Sequence, residues 1–546
     1  MSLRAARLAF LLVAAAAIAI AIAGMGRPLA NPDEGRYSEI SREMVASGDW
    51  VTPRLDGIKY FEKPPLQYWA TAAVFEAFGQ SETTARLYVA LCGLATLLAA
   101  AYAARRLGTN EVGAATLAAL LASPYFMALA TIVTLDMGVT LWTTVTLWAF
   151  LLAEQEAGRG GAARGWIALA WVATALAVLS KGLIGIVFAG AAVFFRSVLQ
   201  RDLSAMRRLR WSWGLPLCLA IAAPWFVAVS RANPEFARFF FIHEHFERFL
   251  THEHRRVEPW WFFLPIVAAG FLPWALALPA AVAHAWRSET GKPFQPLRVA
   301  ILWSAFIVAF FSASGSKLPA YVLPVFPPLA YVLGHYLAEA PPRRLALWAG
   351  LGASLAIPLA ALALGIDREA KDPWTLALYR AAQPWTLAAA GAHLAGGVAG
   401  WALLRAGRRW HGLAAVAFGA LLVIACIQGG YDELTPRQSG KGVAEAMKPW
   451  LAPTTRLYSV GHYDQTVPFY IGRTLTLVNY HDEFETGLRA EPELAIEDLG
   501  KFPAEWLRPG DALAIMQPGT YERFRRQGLP MQVLHEDPRR VLVRKP

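Results

Sequence analysis

Long apolar runs recur along almost the entire chain, and they restrict its fold more than any other feature. Each run approaches the roughly 17–25 residues that a helix needs to cross a hydrocarbon core of about 30 Å. Because lipid offers the backbone no hydrogen-bond partner, these runs are expected to be helices. The pattern predicts about thirteen transmembrane helices, at residues 8–23, 84–104, 112–131, 137–153, 166–180, 183–199, 212–229, 260–285, 299–313, 319–338, 344–365, 384–404 and 411–429.

The composition agrees with a polytopic membrane protein. Of the 546 residues, 56% are hydrophobic and 17% are charged, whereas soluble proteins average about 45–50% and about 25%. This balance excludes intrinsic disorder and a string of ordinary soluble domains. The formal net charge is +11, but no basic run with interleaved aromatic residues stands apart from the apolar spans, so nucleic acid is not an expected partner.

Arginine and lysine residues concentrate in every second connection between the predicted helices. Short loops rich in these residues stay in the cytoplasm under the positive-inside rule. With a cytoplasmic N-terminus and an odd number of spans, the C-terminal region is expected on the outer face, in the periplasm of a Gram-negative cell. The basic connections contain Arg105/Arg106, Arg159/Arg164, Arg201/Arg207/Arg208/Arg210, Arg287/Lys292, Arg343/Arg344 and Arg405/Arg408/Arg409.

Two outward connections, 25–82 and 230–259, are too long to be simple loops, and hydropathy falls from residue 431 onward. We therefore expect a membrane domain over 1–430 with two periplasmic loops, followed by a soluble α/β domain over 431–546. In this tail, short β-type runs alternate with helical stretches. The expected strands are 456–460, 474–478, 512–516 and 540–543, and the expected helices are 438–449 and 520–527.

The first outward loop contains a helix-start signal, Asn31-Pro32-Asp33-Glu34. Asn31 is the expected N-cap, Pro32 the first helical residue, and Glu34 the residue that completes a capping box. The helix should extend to about Ser47 and lie at the membrane surface.

Charged and aromatic residues cluster twice in this same loop, as DEGRY at 33–37 and YFEKPPLQYW at 60–69. Asp33 could serve only the helix dipole, and Glu62 with Lys63 could be a solvated pair before a proline turn. The occurrence of both clusters in one loop, beside aromatic residues and against the membrane, favours a functional site.

Three further charged residues lie at outward helix boundaries. Asp136 interrupts an apolar stretch, where an ionisable group is costly unless it is paired or solvated. It could alternatively be an interfacial N-cap. Lys181 and Lys317 occupy similar boundaries, and either could snorkel to the interface.

The second outward loop reads HEHFERFLTHEHRR at 243–256. Its paired histidines suggest metal ligation, although their spacing matches no standard zinc motif. We expect His243, completed by Glu62 of the first loop, to hold a divalent cation, zinc or magnesium, if a cofactor is used at all. Arg248 suits phosphate, because a guanidinium group binds it bidentately.

These features fit either a transporter or an enzyme that acts on lipid-borne substrates. Transporters usually show internal repeats and polar sites at the midplane of broken helices. This sequence shows no evident repeat, its charges gather at one membrane face, and an outer domain is appended. The enzyme is therefore favoured, with a lipid-linked sugar flippase or transporter as the alternative outside that class.

The segment 33–69, with its DEGRY start and its FEKPPLQYW end, resembles the aminoarabinose transferases of lipid A. These are GT-C class glycosyltransferases related to the protein O-mannosyltransferases. Asp136, the SKG at 180–182 and the KLPAY at 317–321 extend the similarity. So does the layout of about thirteen spans plus an outer domain. Gly35 stands where the family commonly has a larger residue.

The resemblance implies an all-α polytopic membrane fold of the GT-C type with a C-terminal α/β periplasmic domain. It implies transfer of 4-amino-4-deoxy-L-arabinose from undecaprenyl phosphate to a lipid A phosphate, which gives resistance to polymyxin and related cationic peptides. The expected location is the bacterial inner membrane, and the expected state is a monomer. The alternative within the enzyme class is a polyprenyl-phosphate sugar transferase with another sugar or a protein acceptor.

On this interpretation Asp33 and Asp136 are the catalytic candidates. Asp33 would orient the acceptor, stabilise the oxocarbenium-like centre or pair with the amine of the sugar, and Asp136 would support it. A phosphate acceptor is already ionised at neutral pH, because its second pKa is about 6, so a strong general base is less necessary. Displacement without a covalent intermediate would invert the anomeric carbon.

The remaining candidates are substrate-binding residues. Fixed positive charge helps a polyprenyl phosphate to leave, and Lys63 and Arg248 are expected to supply it. Lys317 and Tyr321 are further donors. The sugar pocket is expected to include Tyr37, Tyr60, Arg36 and Glu62.

Overall fold

The computed structural model describes residues 3–242 and 258–546. Helices lie at each of the thirteen predicted spans, so the polytopic helical layout is confirmed. The helices up to residue 433 are α1 Leu3–Met25, α2 Asp33–Ser47, α3 Leu66–Phe78, α4 Glu82–Leu107, α5 Asn110–Leu121, α6 Pro124–Leu129, α7 Leu135–Gly158, α8 Arg164–Lys181, α9 Ile184–Gln200, α10 Ser204–Arg208, α11 Trp211–Ala232, α12 Phe236–Arg238, α13 Phe263–Gly270, α14 Leu278–Ser288, α15 Pro296–Ala313, α16 Phe326–Glu339, α17 Pro342–Ser354, α18 Ala356–Leu364, α19 Pro373–Arg405 and α20 Arg409–Glu433.

Not every predicted span is one long helix. Among the described residues, eight helices are long and apolar enough to cross a membrane, or nine if the pair Phe263–Gly270 and Leu272–Ser288, bent by 104°, is one span. The predicted span 112–131 is divided because Ser123 caps α6 and Pro124 begins it. A proline lacks the N–H that would continue the hydrogen-bond ladder of the preceding helix. The chain is thus a multi-pass membrane protein with several interrupted spans.

Helix α7 lies at the centre of the bundle. In its most apolar window, 89% of the residues are buried inside the protein, and it packs against α4 and α8. Thr140, Thr143 and Thr146 satisfy their hydroxyls on the helix itself, as Thr140 does by donating to the carbonyl of Asp136 at 2.7 Å. A helix enclosed in this way holds the residues at its first turn in fixed positions.

The predicted basic connections meet at one end of the bundle. Arg106, at the end of α4, pairs with Glu156 near the end of α7 at 2.8 Å. Arg409, at the start of α20, donates to the carbonyl of Ala340 just after α16 at 2.7 Å. The other end of α4 begins at Glu82, which pairs with Lys441 of the C-terminal region at 2.7 Å. Arginines therefore gather at the end opposite to the C-terminal region.

The C-terminal region forms a six-stranded sheet flanked by helices. A separate hairpin of the first loop supplies β1 and β2, so the sheet strands are β3 Arg456–Val460, β4 Thr476–Val478, β5 Ala495–Ile496, β6 Ala512–Met516, β7 Gln532–Glu536 and β8 Val541–Arg544. Their order is β5-β4-β3-β6-β8-β7. The first four are parallel, and β8 joins β6 and β7 antiparallel.

Helices cover this sheet: α21 Thr435–Gln438, α22 Lys441–Met447, α23 Val467–Ile471, α24 Glu485–Ala490, α25 Phe502–Leu507 and α26 Pro518–Arg526. The predicted α/β character is confirmed, and all four predicted strands are present to within two residues. The short β5 and the polar, half-exposed β7 were not predicted. The proposed domain boundary at residue 430 falls near the end of α20 at Glu433.

Helix α2 lies against the C-terminal region. Ten of its fifteen residues are buried, so the helix is enclosed by protein, and its expected position at the membrane surface stays a prediction. The enclosure depends on Gly35, where an added Cβ would lie only 2.6 Å from the backbone of Gln465. A glycine at this position lets the helix and the sheet domain approach at backbone distance.

The predicted capping box of α2 is wrong. Helix α2 begins at Asp33, and Pro32 occupies the N-cap position without a side-chain hydrogen bond. Asn31 instead donates to Asp464 of the C-terminal region at 2.8 Å. Glu34 accepts from the N–H of Ala30 at 3.0 Å. The polar side chains at this helix start therefore serve tertiary contacts rather than the helix end.

Candidate active site

The first turn of α2 places a carboxylate and a guanidinium group on one face of the helix. Asp33 and Arg36 are three residues apart, and the Arg36 Nη1 donates to Asp33 Oδ1 at 2.9 Å. The other guanidinium nitrogen of Arg36 pairs with Glu483, which the C-terminal region supplies. The Asp33 side chain keeps 35% of its surface exposed, against 11% for Arg36 and 6% for Glu483. Asp33 is therefore the accessible member of a carboxylate–guanidinium–carboxylate chain.

Burial and neighbouring groups shift the pKa values of Arg36 and Glu483. Burial alone would lower the pKa of Arg36, but Tyr60, Glu483, Tyr37 and Asp33 together raise that pKa well above its ordinary value. Burial raises the pKa of Glu483, and Arg36 offsets part of this shift. Arg36 is thus a fixed cation that Asp33 and Glu483 share.

Three buried tyrosines pack beside this chain. Tyr37 and Tyr68 have ring centroids 5.9 Å apart, and Tyr60 belongs to the same apolar cluster. Burial raises the pKa of each well above its ordinary value, so all three stay protonated. Within the described part of the chain, the hydroxyls of Tyr60 and Tyr68 are buried without a hydrogen-bond partner. A buried unsatisfied hydroxyl costs about 1–3 kcal/mol, which favours a ligand that supplies the missing partner.

The two charged clusters of the first loop meet at these tyrosines. Asp33 and Glu62 both act on the hydroxyl of Tyr37 and raise its pKa, and Glu62 acts in the same way on Tyr60. The chain between them returns through a hairpin formed by β1 Arg54–Leu55 and β2 Ile58–Lys59. Residues 33–37 and 60–68 therefore lie side by side around one apolar cluster.

A second group forms at the first turn of α7. Asp136 is buried and pairs with Lys181 at the end of α8. The Lys181 Nζ also lies 4.3 Å from the centre of the Tyr321 ring, a cation–π contact. Asp136 does not cap its helix, because Thr134 holds the N-cap position. Asp136, Lys181 and Tyr321 are thereby brought together from three distant segments.

Glu34 joins the two groups. Its carboxylate accepts from the Arg86 guanidinium at 2.8 and 2.6 Å and from the N–H of Val133 at 3.0 Å. Burial raises the pKa of Glu34, but the positive charge of Arg86 and its hydrogen bonds outweigh burial. The net pKa lies below its ordinary value, so the carboxylate is charged. Val133 and Leu135 also pack in the apolar cluster of the three tyrosines. The segment that leads to Asp136 is therefore attached to the first turn of α2.

Two lysines predicted to bind the phosphate, Lys63 and Lys317, contact residues close to them in the sequence. The Lys63 Nζ donates to the carbonyl of Glu62 at 2.9 Å and lies 3.8 Å from its carboxylate. Lys317 is buried and donates to the carbonyl of Ser314 at 2.8 Å, within its own turn. Arg248 and His243 lie outside the described residues, so the phosphate role of Arg248 and the metal pair of His243 with Glu62 stay predictions.

The sequence did not predict the contacts that Lys181, Arg86 and Glu483 make in this region. Lys181 was noticed, but nothing local to it indicates that it pairs with Asp136. Arg86 is fully buried, and its only signal is a single arginine at the start of an apolar span. Glu483 comes from a region whose placement over α2 the sequence does not specify.

Two family models match the sequence. One, described as the aminoarabinose transferase C-terminal domain, matches residues 443–545. The other, described as dolichyl-phosphate-mannose-protein mannosyltransferase, matches residues 7–240.

Curated relatives carry the name undecaprenyl phosphate-alpha-4-amino-4-deoxy-L-arabinose arabinosyl transferase. One from Pseudomonas fluorescens is 35% identical over 315 residues, which are 56% of this chain and 52% of the relative. One from Proteus mirabilis is 35% identical over 317 residues, 57% of this chain and 56% of the relative. The chain thus spans about half the length of the curated relatives it matches.

Solved structures match over nearly the whole chain. The crystal structure of ArnT from Cupriavidus metallidurans bound to undecaprenyl phosphate has a TM-score of 0.92 and 36% identity, covering 98% of this chain and 97% of that one. Its apo form has a TM-score of 0.91 and 36% identity, covering 99% and 98%. The predicted fold class, a polytopic helical domain with an α/β C-terminal region, is confirmed by this match.

Proposed function

Because this chain belongs to the aminoarabinose transferase family, we propose that it transfers 4-amino-4-deoxy-L-arabinose from undecaprenyl phosphate to a phosphate of lipid A. The proposed place is the periplasmic face of a bacterial inner membrane. The observation that carries the proposal is the site formed by residues 33–37 and 60–68, which adjoins the pair of Asp136 and Lys181. The names of its relatives and the undecaprenyl phosphate bound to the ArnT of Cupriavidus metallidurans support the donor.

The proposed reaction is a single displacement. An oxygen of the acceptor phosphate attacks the anomeric carbon of the sugar, and the bond from that carbon to undecaprenyl phosphate breaks. The leaving phosphate keeps the electron pair of that bond, and the anomeric configuration inverts. Because the acceptor is already anionic near neutral pH, the protein has to position two phosphates and stabilise the charge between them.

Asp33 is the proposed catalytic carboxylate. It is the exposed end of the chain that continues through Arg36 to Glu483, so its position is set from two sides. A carboxylate held there would stabilise an oxocarbenium-like centre or bind the amine of the sugar. The orphaned hydroxyls of Tyr60 and Tyr68 supply donors to the sugar, with Tyr37 as a wall of the pocket. Glu62 is proposed as a further substrate-binding residue of the same pocket.

Positive charge for the leaving phosphate comes, in this proposal, from Lys63, Arg248 and Lys317. Asp136 would act through Lys181, whose ammonium group lies over the ring of Tyr321. Asp136 is therefore proposed as a positioning residue that holds Lys181 and Tyr321.

Lipid A mass spectrometry tests this function. The chain would be expressed in cells that make the lipid-linked aminoarabinose but lack their own transferase. We expect lipid A to gain a pentosamine and the cells to gain polymyxin resistance. Unmodified lipid A, with the protein present in the membrane, would overturn the proposed acceptor or sugar.

A reconstituted assay separates transfer from transport. Purified protein, lipid-linked sugar and lipid A would be mixed in detergent, where no compartment exists. Product formation there supports an enzyme, whereas the absence of product combined with sugar-lipid movement in vesicles would support a flippase.

A further inference from the structure

A second cluster of metal-binding side chains lies at the end of the bundle that carries the basic connections. His335 and Glu339 are four residues apart on α16 and therefore share one face of that helix. His284 comes from the neighbouring α14. The Glu339 Oε2 lies 2.9 Å from the His284 Nε2 and 3.3 Å from the His335 Nε2. One ligand atom from each of the three residues fits within 4.8 Å of the others.

The 3.3 Å separation of Glu339 from His335 matches the spacing of ligands around a tetrahedral ion, and the 2.9 Å hydrogen bond from His284 would lengthen by about 0.4 Å to reach it. Zinc binds histidine nitrogen and carboxylate oxygen at about 2.0–2.1 Å, which places neighbouring ligand atoms about 3.3 Å apart. In the described structure, the buried His335 Nε2 has no hydrogen bond of good geometry, although it faces the carboxylate. An ion between the three groups would satisfy this nitrogen.

The ligand set also indicates which ion would bind. Two imidazole nitrogens and one carboxylate suit zinc, whereas magnesium and calcium prefer oxygen ligands throughout. A fourth position is available, because His284 also lines a cavity of about 570 Å³ beside the cluster. Arg287 and Arg344 line the same cavity. Their charge opposes a cation, so a site there depends on the covalent character of the imidazole bonds and on the charge of Glu339.

We propose that His284, His335 and Glu339 bind one zinc ion, with water from the adjoining cavity as the fourth ligand. Tyr321 and Glu339 are separated by eighteen residues of helix, or about 30 Å. The ion is therefore remote from the candidate active site, and it would act by fastening α14 to α16. This proposal is independent of the proposed function, since either can fail alone.

Zinc titration of the full-length protein tests the site. The detergent-purified protein would be stripped with a chelator and titrated with zinc chloride in a calorimeter, and its thermal unfolding would be measured with and without zinc. We expect zinc binding that raises Tm. The affinity of this site should fall at least about 100-fold in His284→Ala and in His335→Ala, because even outer-shell changes cost 10–100-fold. Glu339→Gln, which keeps the size of the side chain, should weaken binding by about 10-fold or more.

Controls separate this site from the other histidines of the chain. His411→Ala, near the start of α20, should leave zinc affinity unchanged. In His243→Ala, the titration should still show the zinc site of His284, His335 and Glu339. Cobalt(II) gives a second readout, because a tetrahedral site should produce intense visible absorption that disappears in His284→Ala. Failure of the wild type to bind zinc, or loss of binding in His243→Ala but not in Glu339→Gln, would overturn the proposal.

Discussion

Asp33 is the most exposed of three linked charged residues, Asp33, Arg36 and Glu483. The proposed chemistry depends on its negative charge. Asp33→Asn keeps the size and the hydrogen bond to Arg36 but removes the negative charge. Removal of one preorganised electrostatic group typically lowers turnover by about 10²–10³-fold. We expect a fall of this size in transfer to lipid A, measured with purified protein. The control is Glu522→Gln, which removes a carboxylate that pairs with Arg525 and Arg526 on α26, away from the site. Full activity of Asp33→Asn would remove its catalytic assignment.

Asp136 and Lys181 are an enclosed ion pair, with side chains 9% and 11% exposed. Removing one partner leaves a buried charge, which typically destabilises a protein by about 3–5 kcal/mol. We expect Lys181→Met and Asp136→Asn each to lower the unfolding temperature in detergent, and the double variant to recover most of the loss. If Asp136 positions Lys181 for the reaction, transfer activity will stay low in the stable double variant. Recovery of activity along with stability would assign the pair a structural role alone.

Single residues of the site could be predicted where their spacing is local. Asp33, Arg36 and Tyr37 fall on one helical face by their positions in the sequence. Lys181 is different, because its contact with Asp136 spans 45 positions of the chain and depends on how α7 packs on α8. The same holds for Glu483, whose contact with Arg36 spans 447 positions. Charge at a membrane boundary indicates that a partner exists without indicating which one.

At the scale of elements, the contact of α2 with the C-terminal region depends on Gly35. Gly35→Ala would place a Cβ 2.6 Å from the Gln465 backbone, a clash that neither main chain can relieve without moving. We expect a loss of about 1–3 kcal/mol in stability, together with reduced transfer, because Asp33 and Arg36 are on the same turn. Gly442→Ala on α22 is the matched control, since its Cβ would meet nothing within 4 Å. Equal melting temperatures for the two variants would contradict the close approach.

The connection between α14 and α15 contains a pH-sensitive group. Glu289 accepts from the N–H groups of Leu297 and Arg298 at 3.0 and 2.9 Å, yet burial raises its pKa from 4.5 to about 7. Between these values the folded protein holds a proton that the unfolded chain has released. Stability therefore falls as the pH rises through this window, by at most about 3 kcal/mol.

Thermal unfolding of Glu289→Gln from pH 5 to pH 8 tests this sign. The variant has no proton to lose, so its melting temperature relative to wild type should increase with pH across the window. Glu111→Gln, an exposed acid in the first turn of α5, should show a much smaller change. A difference that is constant with pH would mean that Glu289 is charged throughout.

Element positions were largely predictable because hydrophobicity decides them. Every predicted span contains a helix, and the sheet strands that face two layers, such as β3 and β6, were found at their true bounds. The hairpin of β1 and β2 was missed, although its Asp56-Gly57 turn, with both residues at positive φ, is a known hairpin signal. β7 was missed because it is short in apolar residues: Gln532, His535 and Glu536 are polar, and none of its residues is buried. The break between α13 and α14 falls at Gly270 and Pro273, residues that commonly interrupt a helix, so it carried a local signal that was missed.

At the scale of the whole molecule, the C-terminal region and the bundle are joined by buried polar contacts. Arg540 pairs with Asp464 at 2.8 Å, and Asp464 in turn accepts from Asn31. Leu29 donates its N–H to the Tyr470 hydroxyl at 2.7 Å. The region therefore forms part of the walls around Asp33. A site that opens to the periplasm requires this region to lie there as well, which makes the orientation of the chain a direct condition of the proposed function.

Cysteine labelling in intact cells tests that orientation. The three native cysteines lie in apolar helices, so they would be replaced to give a silent background. Gln527→Cys, exposed after α26, should react with a membrane-impermeant maleimide once the outer membrane is permeabilised. Arg408→Cys, exposed between α19 and α20, should react only after the inner membrane is opened, because arginine-rich short loops stay in the cytoplasm. The reverse pattern would place Asp33 on the cytoplasmic side, where a periplasmic transfer to lipid A could not occur.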